Sequence, residues 1–241
     1  MKVGKKEKGV ILAGGSGSRL DNLSRITNKH LLPVGTKPML QWNVEKLVDA
    51  GVKDILIITG KDHLGSIVSY FGSGSNFKCK FTYKVQDEAG GIAQALLLVD
   101  GFVKKNEFFW VILGDNISNY PLPSLDCFPF VLMTKVVSDP ERFGVLVDDD
   151  VHGDYIEEKP EDPESKKAVC GIYGYTYTKN FKGYLGSLEK SDRGEVEVTD
   201  LNNLILRNEK WITYELDDFE WSDAGTLESY KKVNQWDWVW K

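Results

Sequence analysis

The chain is poor in the residues that carry thiol and imidazole chemistry. Its 241 residues include three cysteines and three histidines. Cys79, Cys127 and Cys170 are scattered and odd in number. They form neither a disulfide framework nor a metal-ligand spacing, and fit a reducing cytosol. His30, His63 and His152 stand too far apart in sequence for a zinc motif. No run of about 18 apolar residues occurs, so no transmembrane helix is expected and a membrane is not an expected partner. Lys and Arg number 30 against 36 Asp and Glu, a formal charge of −6. With no long basic run, nucleic acid is not an expected partner either. The start, Met1-Lys2-Val3-Gly4-Lys5-Lys6-Glu7-Lys8, is basic but lacks the small-residue cleavage site of a signal peptide. Repeats, low-complexity blocks and linkers are missing. The remainder, 41% hydrophobic and 27% charged, suits a soluble cytoplasmic protein with one large α/β domain.

What is present begins with Gly9-Val10-Ile11-Leu12-Ala13-Gly14-Gly15-Ser16-Gly17-Ser18-Arg19-Leu20. An apolar run reads as a buried strand, and the glycines after it as a loop at its carboxyl end. Glycine lets backbone N–H groups converge on phosphate oxygens. Arg19 adds a permanent charge with a fork of donors. Together they suggest a nucleoside triphosphate; a tight turn followed by a surface arginine is the other reading.

Strands are expected at Val10–Ala13, Asp54–Thr59, Phe81–Val85 and Phe108–Leu113, and helices at Pro38–Ala50, Leu64–Phe71 and Ile92–Val103. Pro38 suits a first helical turn and Gly51 a stop. This alternation implies right-handed crossovers and a mostly parallel sheet, with ligands at the carboxyl ends of the strands. After residue 127, Phe130–Val137, Gly144–Val147, Tyr155–Glu158 and Val169–Tyr177 read as shorter strands that extend the sheet, with antiparallel members. Asp148-Asp149-Asp150 and His152-Gly153 read as turns.

Four further segments can carry chemistry. Asp115 follows the buried run Phe108–Gly114. It suits either Mg²⁺, which takes oxygen ligands and keeps waters and phosphates, or an N-cap or turn role. Asp223, in Trp221-Ser222-Asp223-Ala224-Gly225-Thr226, could share that ion, or could cap the helix that starts near Thr226. Gln86 precedes the loop Asp87-Glu88-Ala89-Gly90-Gly91. Its amide can read a pyrimidine edge, and Gly91 would let backbone approach the base; an ordinary strand-to-helix turn also fits. Lys159 lies in Glu157-Glu158-Lys159-Pro160, where proline pushes it toward extended geometry. It can pair with a phosphate, although composition alone suggests a surface lysine.

Taken in order, these segments resemble the sugar-1-phosphate nucleotidyltransferase family, most closely its short-form glucose-1-phosphate thymidylyltransferase branch. The matching stretches are Leu12–Leu20, Asn28–Val34, Val85–Ala95, Leu113–Ile117, Asp139–Val145, Glu157–Pro160, Arg193–Asp200 and Trp221–Thr226. The resemblance spans about residues 9 to 230. It implies a Rossmann-like α/β fold: a mixed, mostly parallel sheet with helices on both faces and a small inserted antiparallel part. It implies a single domain over residues 1–241, with 9–126 mainly for the nucleotide, 127–230 mainly for the sugar phosphate and 231–241 as a tail.

The resemblance also implies roles. Leu12, Gly14, Gly15, Gln86, Gly91 and Asp115 bind the nucleotide, with Gln86 and Gly91 at the base. Gly14, Gly15 and Arg19 hold the triphosphate, and Lys29 helps neutralise phosphate charge, which makes Arg19, Lys29 and Lys159 the catalytic cations. Glu158, Lys159, Val169, Gly171, Arg193 and Glu195 bind the sugar phosphate. Asp115 and Asp223 hold Mg²⁺. The implied substrates are dTTP, or UTP, and a hexose 1-phosphate; the implied products are a dTDP-sugar and pyrophosphate.

Ser18 replaces a frequent threonine, and Asp21-Asn22-Leu23-Ser24 a proline-containing turn; neither removes a charged group. The chain ends soon after the last motif, without the extension that longer members link to allosteric feedback. Trp236, Trp238 and Trp240 alternate near the end. If extended, they would form an apolar strip for a homo-oligomer; otherwise they cover the body of the same subunit. Two other classes stay open, an inactive regulatory homologue and a nicotinamide-dependent oxidoreductase. The glycine loop lacks the G-x-G-x-x-G spacing of the latter.

Overall fold

The computed structural model describes residues 7–15, 17–20, 23, 27–123 and 129–241. Residues 1–6, Ser16, Asp21, Asn22, Ser24 and Cys127 lie outside the described residues. In chain order the strands are β1 (Lys8–Ala13), β2 (Pro33–Val34), β3 (Lys37–Pro38), β4 (Asp54–Gly60), β5 (Lys80–Gln86), β6 (Phe108–Leu113), β7 (Asn116–Ser118), β8 (Phe130–Val136), β9 (Gly144–Val147), β10 (Tyr155–Glu158), β11 (Lys167–Thr176), β12 (Trp211–Glu215) and β13 (Trp221–Asp223). The α-helices are α1 (Met39–Asp49), α2 (Leu64–Phe71), α3 (Ile92–Leu96), α4 (Lys179–Ser187), α5 (Val198–Asn208) and α6 (Leu227–Val233).

Among the described residues, nine strands make one sheet in the order β10-β9-β11-β6-β1-β4-β5, with β8 paired to β11 and β12 to β8. The β5-β4-β1-β6 heart is parallel. The second half extends it through β11, which runs antiparallel to β6 and to β8, and through the antiparallel pair β9 and β10. Val10–Ala13 is buried throughout because this strand is covered on both faces. Val10, Leu12, Leu56 and Ile58 pack with Ala93, Leu96, Leu201 and Ile205 on one face. Ile11, Ala13, Ile55 and Ile57 pack with Leu40, Val44, Leu47 and Ile67 on the other. Period-2 alternation in the strands thus assigns α3 and α5 to one side and α1 and α2 to the other.

Several local expectations are corrected. Pro38 is the N-cap of α1 rather than a first-turn residue, and it also pairs in β3. The helix expected over Ile92–Val103 stops at Leu96 and continues only as a 3₁₀ turn through Val99. The Lys84 ammonium takes the Leu98 and Asp100 carbonyls at 2.8 and 2.7 Å, and Asp100 is extended. Those carbonyls therefore do not continue a helix. Two helices, α4 and α5, stand in stretches for which no element was expected.

The tail is not extended. Asp237–Trp240 forms a 3₁₀ turn in which Val239 is fully buried and Trp240 exposed. Val239 joins Val34, Met39, Ile117, Ala224 and Val233 in a third core, with Trp236 and Trp238 packed against it. Trp238 meets Trp42 edge to face at 5.0 Å. Thr36 N–H donates to the Val239 carbonyl at 3.1 Å. Gly35 beside it has φ +58, and a Cβ there would overlap that carbonyl. Trp236 and Trp238 thus cover the body of their own subunit, while Trp240 stays exposed.

Gly35→Ala should detach this tail. The expected cost is about 3 kcal/mol, a fall in melting temperature on the order of 6–12 °C. Differential scanning calorimetry would check it, and an unchanged melting temperature would show that the tail contributes little.

Candidate active site

One cavity of about 420 Å³ opens at the carboxyl ends of β1, β5 and β6. Leu12, Gly14, Gly15, Arg19, Lys29, Gln86, Gly91, Asp115, Glu158, Lys159, Val169, Gly171, Arg193, Glu195 and Asp223 all line it. Every site residue named from sequence therefore meets in one place, including those of the chain's second half.

The glycine loop leaves β1 and turns into the 3₁₀ turn Ser18–Leu20, closed by Leu20 N–H on the Gly17 carbonyl at 2.9 Å. Gly17 has φ +71. Arg19 is exposed at the cavity. A Cβ at Gly15 would lie 3.2 Å from Lys29 Cε and Nζ, so that glycine lets the buried lysine pass. Lys29 then reaches Asp115 with Nζ 2.5 Å from Oδ2. Burial alone would raise the Asp115 pKa, but the Lys29 charge overrides it and holds the carboxyl at about 2. His30 is buried with Nδ1 2.9 Å from Asn28 Oδ1. Burial first, and then the Lys29 charge, push its pKa down to about 3. The ring is neutral near pH 7, so Nδ1–H donates to the carboxamide oxygen.

Asp223 comes from the other half of the chain. β13 pairs antiparallel with β7, in register Asp223 to Asn116, and Ala224 N–H donates to the Asp115 carbonyl at 2.7 Å. This hairpin-like pair brings the two carboxylates together. A Cβ at Gly225 would lie 3.3 Å from Asp115 Oδ2 and 3.4 Å from Asp223 Oδ2, so both oxygens border one small cradle. Burial raises the Asp223 pKa to about 6, and Asp115 adds to the rise against the opposing charge of Arg142. Asp223 is not the helix cap. Thr226 caps α6, its hydroxyl accepting from Ser229 N–H while the Ser229 hydroxyl accepts from Thr226 N–H, both at 3.1 Å.

Arg142 had no role assigned from sequence, although it stands inside the matching stretch Asp139–Val145. Its guanidinium donates to Asp223 Oδ1 at 3.0 Å and to Asp139 Oδ2 at 2.6 Å, and it lines the cavity. Each acidic group at the cradle therefore has its own cation, Lys29 on Asp115 and Arg142 on Asp223.

Across the cavity, Glu158 organises a second cationic group. It accepts from the Thr199 hydroxyl at 2.5 Å and from Arg193 at 3.3 Å, and Lys159 Nζ is 3.7 Å away. Arg193 is also held by Glu197 at 2.9 Å. The extended backbone expected for Lys159 is corrected: its φ is +49. β10 ends at Glu158, and Lys159 N–H is fixed to the Phe143 carbonyl at 2.9 Å, which overrides the pre-proline preference. Gly171 marks a register shift in β11 and has φ +57. A Cβ there would lie 2.8 Å from Asn116 Nδ2, so the bulge keeps the strand clear of the residue after Asp115.

At the far end, Gln86 Nε2 donates to the Gly91 carbonyl at 3.1 Å and to Gln94 Oε1 at 2.8 Å. Gly91 has φ +101, and a Cβ would lie 2.5 Å from the Val196 carbonyl oxygen. Its glycine is required by the chain that leads from Arg193. Among the described residues no cluster of three or more His, Cys, Asp and Glu could hold a metal.

The chain belongs to the nucleotidyl transferase family, which matches residues 8–237, and is an enzyme of that kind. Membership sets aside the oxidoreductase reading. A glucose-1-phosphate thymidylyltransferase of Neisseria meningitidis is 36% identical over 231 residues, covering 92% of this chain and 79% of that protein. A crystal structure from Bacillus anthracis, assigned as a glucose-1-phosphate thymidylyltransferase and solved with sucrose, is 45% identical. It superposes with a TM-score of 0.86 over 95% of this chain and 94% of that one. A UDP-glucose pyrophosphorylase solved with UDP-glucose is 23% identical with a TM-score of 0.79, over 95% and 97% of the two chains, and shares the fold. Among the described residues no helix is long and apolar enough to cross a membrane.

The left-handed backbone at Lys159 yields a stability test. Lys159→Gly should raise stability by about 0.5–1 kcal/mol, because glycine adopts that φ without strain. Urea unfolding midpoints would measure it; a midpoint below that of the parent would refute strain at this residue.

Proposed function

We propose that the protein transfers a thymidylyl group from dTTP to glucose 1-phosphate. The observation that carries the reading is the arrangement of charge: the paired carboxylates Asp115 and Asp223 lie in one cavity with two separate cationic groups. Arg19 and Lys29 belong to the glycine-loop side, and Lys159 and Arg193 to the Glu158 side. A transfer between two anionic substrates needs this division.

The donor set fits Mg²⁺. Two carboxylates bordering one cradle leave most of an octahedral shell to phosphate oxygens and water, which this ion prefers. Asp115 and Asp223 would hold it. Bound there, it would neutralise phosphate charge and polarise the reacting phosphoryl group.

The chain's own residues account for positioning. The glycine loop, Arg19 and Lys29 hold the triphosphate of dTTP, and Leu12, Gln86 and Gly91 border the base. Lys159 and Arg193 grip the phosphate of the second substrate, with Glu158, Val169, Gly171 and Glu195 around its sugar. A phosphate oxygen of glucose 1-phosphate forms a bond to the α-phosphorus. The bond from that phosphorus to the bridging oxygen breaks on the opposite side, and pyrophosphate leaves with the electron pair. No proton need move, since the attacking oxygen is already ionised. This suits a cavity whose His30 is neutral and whose carboxylates are paired with cations, Asp115 with Lys29, Asp223 with Arg142 and Glu158 with Arg193. Orientation and charge neutralisation then supply the catalysis. Residues 9–126 mainly serve the nucleotide and 127–230 the sugar phosphate, within one nucleotidyltransferase domain.

The direct test is pyrophosphate release over a matrix of dTTP and UTP with several hexose 1-phosphates. Preference for dTTP with glucose 1-phosphate is expected, and release that is faster with UTP or another sugar would overturn that assignment. Asp115→Asn and Asp223→Asn should each cut turnover with Mg²⁺ at least about a hundredfold while the fold persists. Near-normal turnover in either would remove the shared ion.

The division of cations predicts a split in kinetics. Lys159→Ala should raise KM for the sugar phosphate and lower kcat, about tenfold or more in combination, and leave dTTP binding less affected. Arg19→Ala should strike dTTP and pyrophosphate first. Equal impairment of one substrate by both variants would disprove the division.

A further inference from the structure

We propose that Gln94, which does not line the cavity, decides which end of the Gln86 amide faces the base, and so makes the site select thymine or uracil over cytosine. This rests on the reading of the cavity as a pyrimidine nucleotide site and adds a positioning residue to it.

Two backbone atoms settle the orientation of both amides. The Gly91 carbonyl can only accept, so the Gln86 atom 3.1 Å from it is the amide nitrogen. The Gly90 N–H can only donate, so the Gln94 atom 3.0 Å from it is the amide oxygen. The 2.8 Å contact between Gln86 Nε2 and Gln94 Oε1 then joins a donor to an acceptor. Both hydrogens of the Gln86 amide are consumed. Its Oε1 has no hydrogen-bond partner among the described residues, and Gln86 lines the cavity while Gln94 does not. Two glycines make the room. A Cβ at Gly90 would overlap the Gln94 amide, and one at Gly14 would lie 2.8 Å from Gln86 Oε1.

The site thus offers the base an acceptor. Thymine and uracil carry an N3–H that can donate to it, whereas cytosine presents a lone pair at N3. Turning the Gln86 amide to suit cytosine would break both of its hydrogen bonds and aim its oxygen at two acceptors. Without Gln94, the turn would break one bond and face one acceptor. The Gly91 carbonyl supplies part of the orientation, and Gln94 the rest.

The test is kcat/KM for dTTP, UTP and dCTP, with dissociation constants for dTTP and dCTP from calorimetry, in the parent, Gln94→Leu and Gln94→Glu. In Gln94→Leu the dTTP-to-dCTP ratio should fall about tenfold or more. In Gln94→Glu it should stay within about threefold, since a carboxylate still accepts from Gly90 and Gln86. Gly90→Ala, which displaces the same amide, should lower the ratio too, and carries the test if Gln94→Leu does not fold. An unchanged ratio in Gln94→Leu or Gly90→Ala, with activity lowered equally on both nucleotides, would overturn the proposal and leave Gln94 a structural residue. A parent enzyme that does not prefer dTTP or UTP over dCTP would instead overturn the nucleotide reading itself.

Discussion

Two half-buried carboxylates that border one cradle are the constraint on which the rest of this site turns. Asp115 and Asp223 are brought there by the β7–β13 pairing and by the Ala224 N–H on the Asp115 carbonyl. Left alone, two half-buried like charges at one cradle would resist ionising together. Lys29 at 2.5 Å and Arg142 at 3.0 Å resolve this unequally. Asp115, with an ammonium in direct contact, is held at about 2, while burial keeps Asp223 near 6 despite its guanidinium. The cations reach the pair along different routes. Lys29 crosses beneath Gly15, and Arg142 comes from the turn before β9. The glycine loop therefore has a second duty besides any phosphate: it admits the lysine that stabilises the acid.

The two sides of the cavity are not independent bodies. Val196 N–H donates to the Gly90 carbonyl at 2.8 Å, and Ala93 N–H to the Val196 carbonyl at 3.1 Å. These bonds tie the loop after Gln86 to the segment that carries Arg193 and Glu195. Gly171 and Asn116 make a similar junction, where the bulge in β11 meets the residue after Asp115. A shift on one side of the cavity can reach the other through these backbone junctions.

The legible part of the sequence was the part governed by local rules. β1, β4 and β6 follow from continuous apolar runs and β5 from an alternating one, and the carboxyl-end rule places Gly14, Gln86 and Asp115 on one side of a parallel sheet. Contacts between distant segments were not legible. Nothing near Arg142 announces Asp223, and the demand for glycine at 91 comes from Val196. At Lys159 a bond to the Phe143 carbonyl defeats the proline rule. Helix α5 did leave a trace. Val198, Leu201, Ile205 and Leu206 recur at helical spacing, but β-branched residues and an aspartate open the segment and obscure it. Helix α4 begins from a Thr178 cap that accepts from Phe181 N–H, a signal visible only once the end of β11 is known.

The third core adds a mechanical link to this electrostatic one. Ile117 lies in β7 two residues after Asp115, and Ala224 directly follows Asp223. Both are buried against Val34, Met39, Val233 and Val239. The residues that flank the carboxylates thus rest on the same apolar cluster that the C-terminal turn completes. The cap at Thr226 starts α6 immediately after Gly225, and that helix delivers Val233 to the cluster. Position at the cradle is in this way fixed twice: by strand pairing along the backbone and by packing from beneath. Two like charges that border one cradle need both. Hydrogen bonds alone fix the register of β7 against β13, and only the packing fixes the depth at which that pair sits under the cavity.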